Sequence, residues 1–98
     1  MEASVAIQVL PIVNDEDKLI SIVDEVIAYI SSTGLNYQVG AFETSIEGDY
    51  DELMEIVKQC QLIAVKAGAP SVSAYIKVVY KPEGEVLSIE KKTKKHQH

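Results

Sequence analysis

The chain has no arginine and no tryptophan, and its 98 residues include one cysteine, one phenylalanine and three prolines. Each shortage excludes something. Without arginine there is no planar guanidinium, the group that most often forks onto phosphates and guanine edges. A net charge of −6 adds repulsion, so no nucleic acid partner is expected. Cys60 alone permits neither an intrachain disulfide nor a cysteine-based metal cluster. The longest uncharged stretch, Val26 to Phe42, is interrupted by Ser31, Ser32, Thr33, Gly34 and Asn36, so no membrane contact through a spanning helix is expected. The start Met1-Glu2-Ala3-Ser4 lacks the basic region of a secretory signal, which reads as cytoplasmic.

Catalytic inventory is also thin. Both histidines, His96 and His98, sit in the C-terminal run, where a rigid general base is hard to build. Cys60 falls on the apolar stripe of a helix, as a buried structural thiol does. Asp49, Asp51, Glu52 and Glu55 belong to a first helical turn, where the dipole favours acids. No phosphate loop is present. No enzyme activity and no cofactor are expected.

What remains is an ordinary globular composition, 47% apolar and 24% charged, enough for one domain. A chain this short buries only somewhat over ~60% of its unfolded surface, so self-association is expected to help stabilise it. The run Lys91-Lys92-Thr93-Lys94-Lys95 reads as a solvated tail, poorly ordered or forming one short helical turn capped by Ser88. The body is left acidic, which suits a cationic ligand.

Val5, Ile7 and Val9 alternate with Ser4, Ala6, Gln8 and Leu10 up to Pro11, the period of a strand. Asn14 to Asp17 open a helix in which Leu19, Ile22, Val23, Val26, Ile27 and Ile30 recur at helical spacing, and Gly34 ends it. Tyr37, Val39, Phe42, Thr44 and Ile46 favour two short strands turning at Gly40-Ala41. Gly48-Asp49 introduces a second helix carrying Leu53, Met54, Ile56, Val57, Cys60, Ile63 and Ala64, ended by Gly68-Ala69-Pro70. Ser71 to Tyr80 alternates again as the longest strand. The order predicts an α+β fold, the ferredoxin-like βαββαβ pattern, with two helices on one face of a four-stranded antiparallel sheet. The other face, with Ala6, Gln8, Leu10, Tyr75, Lys77 and Val79, is left open for a ligand or a partner subunit.

The middle strands are unusually polar and aromatic for a small core. Tyr37, Thr44 and Glu47 offer a stacking face, a hydroxyl and a carboxylate for one pocket, while a solvated strand face lines itself with the same residue types. Both readings stand on the residues alone. Gln8, Tyr75 and Lys77 on the open face join the candidate ligand-binding set. A structural or regulatory interaction module, docking a protein on the open face, is the alternative function.

Gly34-Leu35-Asn36-Tyr37, then Thr44-Ser45-Ile46-Glu47-Gly48, then Asp49 to Met54 opening a helix, together with Val9-Leu10-Pro11, resemble the small bacterial and archaeal thiamine-binding protein family. The resemblance spans Ala3 to about Tyr80. It implies a ferredoxin-like subunit, a homotetramer built through sheet-to-sheet and edge contacts, and a site for thiamine or its hydroxymethylpyrimidine part without catalysis. On that footing Glu47 and Gln8 would bond the aminopyrimidine, and Tyr37 or Phe42 would stack on a ring. Many relatives carry an arginine where this chain has Ser71, which weighs against a phosphorylated ligand.

Overall fold

Valine and isoleucine at every second position make Ala3–Pro11 a strand, β1. The computed structural model describes residues 1–97; His98 lies outside the described residues. After β1 come α1 (Glu16–Ser32), β2 (Asn36–Val39), β3 (Thr44–Gly48), α2 (Tyr50–Lys66) and β4 (Val72–Tyr80). A short helix α3 (Ile89–Thr93) then runs into a 3-10 turn at Lys94–His96. The strands form one antiparallel sheet in the order β2-β3-β1-β4. This is the ferredoxin-like α+β fold that the sequence predicts.

Ile22, Val26 and Ile30 of α1 and Leu53, Ile56, Val57, Cys60 and Ala64 of α2 are buried against one sheet face. From the sheet they meet Ala3, Val5, Ile7 and Ile46, all 3% exposed or less. Asp15 caps α1, its carboxylate accepting from the Asp17 amide at 3.0 Å. Asp49 holds the corresponding place at α2 but its side chain makes no capping bond. The Glu2 carboxylate accepts from Tyr50 N at 3.2 Å instead. It can do so because Ala3 pairs with Gly48, which sets Glu2 beside the start of the helix.

The ladder around β1 is unequal. On the β4 side it is paired along its whole length, from Ala3↔Tyr80 to Pro11↔Val72. On the β3 side the pairing stops at Ile7↔Thr44. The chain leaves β2 and re-enters β3 through a turn closed by Gly40 N donating to Glu43 O at 2.9 Å. A side chain at position 40 would stand 2.8 Å from that same oxygen, so glycine is what lets the hairpin close there.

The face expected to stay bare is half covered by the chain itself. Ser88 caps α3, its hydroxyl accepting from Lys91 N at 3.0 Å. Val86 and Ile89 are buried at 7% and 8% exposure. Ile89, Lys92 and Thr93 enclose a cavity with Ser4, Ala6 and Ser45 of the sheet. Burial of the Val86 and Ile89 side chains supplies the reason for docking.

Candidate functional site

Strand parity divides the predicted ligand set. Thr44 pairs with Ile7 and Val39, and Tyr37 pairs with Ile46, which puts both on the helix side of the sheet. Glu47 pairs with Ser4 and Asn36, Gln8 with Tyr75, and Ala6 with Lys77, which puts these on the opposite side. The single pocket of Tyr37, Thr44 and Glu47 therefore does not form, because side chains alternate faces along a strand.

Glu47 is not a solvated strand-end charge either. It is 6% exposed, its Oε1 accepting from Asn36 Nδ2 at 2.7 Å and its Oε2 from Ile89 N at 2.8 Å. Both oxygens are spent inside the fold, one on the sheet edge and one on the first amide of α3. Tyr37 is half-buried and packs on the core. Lys77 is on the open face, its Nζ 3.1 Å from a Glu43 carboxylate oxygen. Tyr75, 65% exposed, stands in the same row.

Phe42 and Thr44 are brought together, and Gln8 borders them from the opposite face of β1. They line a cleft of about 220 Å³ at the point where β3 stops pairing and β1 continues. α1 roofs it with Leu19, Val23 and Ile27, all half-buried, and the Gly40–Glu43 turn closes its side. Phe42 projects from the tip of that turn at 80% exposure. Thr44 is only 7% exposed. Every fully buried side-chain polar atom among the described residues has a partner, so the Thr44 hydroxyl, which has none, opens to the cleft. The result is an apolar slot with few polar groups at one end, the usual character of a small-molecule site.

A second cavity, about 400 Å³, lies between the open sheet face and α3, lined by Ser4, Gln38, Ser45, Lys77 and Lys92 among others. Glu43 and Gly40 border both spaces. Among the described residues no group of three or more His, Cys, Asp or Glu is placed to hold a metal ion. Cys60 is fully buried, and burial pushes its thiol up to about 11, the opposite of what a nucleophile needs. Burial also raises the Tyr29 phenol, helped by neighbouring Cys60, Glu55 and Glu52. Sequence reasoning missed the α1 lining and the C-terminal cover. The width of the apolar stripe on α1 was the available signal for the first.

Fold and cleft together define a ferredoxin-like α+β domain with a lateral slot at the end of its central hairpin. A profile of the thiamine-binding protein family matches residues 5–97, and the chain belongs to that family. It is 44% identical over 84 residues to UPF0045 protein CPE1503 of Clostridium perfringens, spanning 86% of this chain and 87% of that one. Among solved structures it is similar to a domain of unknown function, DUF77, from Bacillus cereus, with 35% identity and a TM-score of 0.87. That likeness covers 99% of this chain and 91% of the other. TM0486 from Thermotoga maritima, provisionally named for thiamine biosynthesis or salvage, is 31% identical with a TM-score of 0.84 over 99% of this chain and 100% of that one. Among the described residues no helix is long and apolar enough to cross a membrane.

Proposed function

We infer that the protein is a cytoplasmic, non-catalytic binder of thiamine or its hydroxymethylpyrimidine part, with the pyrimidine held in the α1–hairpin cleft. The observation that carries this is the slot where β3 ends, apolar on its α1 wall and offering the Thr44 hydroxyl beside an exposed aromatic ring. Its volume of about 220 Å³ is below the roughly 300–1,000 Å³ of pockets that enclose drug-sized ligands. It suits one substituted ring, with the thiazolium left outside. There the cation meets the face of Phe42, an attraction of about 0.5–1 kcal/mol at exposed sites. A chain of net charge −6 also favours a cationic ligand. Thr44 and Phe42 are the contacting side chains. Tyr37 supports them from the core, and Gln8, Glu47, Tyr75 and Lys77 lie on the other face of the sheet.

Self-association belongs to the same reading. β4 is a nine-residue edge strand without proline, and Tyr75, Val79 and Tyr80 are 65%, 53% and 51% exposed. Such an edge pairs readily with another strand. A dimer through β4, doubled into a homotetramer, would cover it. Calorimetric titration with thiamine and with 4-amino-5-hydroxymethyl-2-methylpyrimidine tests the binding. Heat with both, at one site per chain, is the expected result. A folded protein that gives heat with neither is instead an interaction module.

A further inference from the structure

In an antiparallel sheet, the N–H and C=O of each residue point together to one neighbouring strand, and successive residues alternate. Ile12 N donates to Ser71 O at 3.0 Å and Lys81 N to Glu2 O at 2.7 Å, so the even-numbered residues along β1 bond toward β4. The odd-numbered ones bond toward β3, where Ala3, Val5 and Ile7 stand opposite Gly48, Ile46 and Thr44. Val9 is next in that series. Its counterpart by register is Phe42, but the Gly40–Glu43 closure has already turned the chain there, and Phe42 points to solvent at 80% exposure. Among the described residues, the Val9 N–H and C=O find no partner, and Val9 lines the cleft. Pro11, the following odd-numbered residue, has no N–H to leave unpaired, which is why a proline is tolerated inside this strand. A main-chain donor and acceptor that the sheet leaves over at the cleft wall are available to pair with a ligand.

We propose that the main-chain N–H and C=O of Val9 form a donor–acceptor edge for heteroaromatic rings in which a ring nitrogen adjoins an exocyclic amine. The ring nitrogen accepts from the N–H while the amine donates to the C=O, as a missing β3 residue would have done. This rests on the cleft reading given above and adds the basis of its selectivity, which is for amino- over oxo-pyrimidines. In the 4-oxo counterpart the amine becomes a carbonyl and the adjacent ring nitrogen carries hydrogen. Donor then faces donor and acceptor faces acceptor.

Calorimetry with 4-amino-5-hydroxymethyl-2-methylpyrimidine and its 4-oxo counterpart provides the test. The oxo compound should bind at least about tenfold more weakly, the equivalent of one or more lost hydrogen bonds with their groups left unpaired. Val9→Pro removes the donor and breaks no ladder bond, and it should reduce the amino-to-oxo preference by about tenfold. Equal affinity for the two pyrimidines overturns the Val9 edge and leaves the cleft as a binding site. No heat with either pyrimidine or with thiamine overturns both. An amino-to-oxo preference unchanged in a folded Val9→Pro protein also overturns the edge, and the wild-type comparison decides the matter if that variant does not fold.

Discussion

Replacing Glu47 by glutamine exchanges one of two carboxylate oxygens for an NH2 group at a place where both oxygens accept. Asn36 Nδ2 approaches one at 2.7 Å and Ile89 N the other at 2.8 Å; turned one way the new amide sets a donor against Ile89 N, and turned the other it keeps the Ile89 bond but keeps a bond to Asn36 only if Asn36 flips to present its Oδ1. Two hydrogen bonds to a charged group become at best two neutral ones, a loss of about 1.5–3 kcal/mol in all. The strand end is held by the β1–β3 and β2–β3 ladders, but α3 rests mainly on Val86, Ile89 and this bond. The loss therefore falls on local opening of the C-terminal segment before it falls on global unfolding. At about 1.4 kcal/mol per decade, the undocked population should rise roughly tenfold to a hundredfold. Amide hydrogen exchange should show the Ile89 amide accelerated by that factor, with β1 amides little changed and a melting temperature lower by a few degrees. Thiamine affinity should stay within about twofold, because Glu47 faces away from the cleft. Unchanged protection at Ile89 would refute the carboxylate latch. A large loss of thiamine affinity would restore Glu47 as a ligand contact.

Thr44→Val is nearly isosteric and removes a hydroxyl that has no partner among the described residues, so thiamine should bind about three- to tenfold more weakly by calorimetry at an unchanged melting temperature. Phe42→Ala removes a ring that is 80% exposed; the melting temperature should hold while thiamine affinity falls by about threefold or more. Cys60 should resist an aromatic disulfide reagent at about pH 8 until the protein is unfolded. Its thiol is held up to about 11 in the fold, above the roughly 8.5 of a free thiol, so the fold favours the protonated form. That contribution is complete below about pH 8.5 and is lost as pH rises toward 11, so melting temperatures should fall across this window more steeply for wild type than for Cys60→Val. Val79→Lys should lower the mass measured by light scattering if β4 carries the subunit contact, while a mass unaffected by the change would place that contact elsewhere.

The strand and helix order was legible because each element carries its own punctuation. Alternation ends at Pro11, Asp15 opens α1, Gly34 closes it with φ +78°, and Gly40 closes the hairpin. The site was legible only in part. Thr44 and Glu47 are three apart in one strand, so period two already separates their faces; grouping them by chemical suitability overlooked that parity. The stripe of α1 held six apolar positions, of which only Ile22, Val26 and Ile30 are buried. The surplus, Leu19, Val23 and Ile27, became the cleft wall. The capping of α2 by Glu2 and the docking of α3 depend on which residues the sheet register brings together, 48 and 42 positions apart in the chain. Local periodicity contains no record of that.

Mapping the ligand on the protein tests the central claim most directly. In a titration of isotopically labelled protein with thiamine, followed through backbone amide resonances, binding in the α1–hairpin cleft requires shifts at Gln8, Val9, Ala41, Phe42 and Thr44. The amides of Ser4, Lys77 and Lys92 should stay still. Shifts confined to those last residues would put the ligand under α3 on the opposite face, and a spectrum unchanged at saturating thiamine would contradict ligand binding altogether.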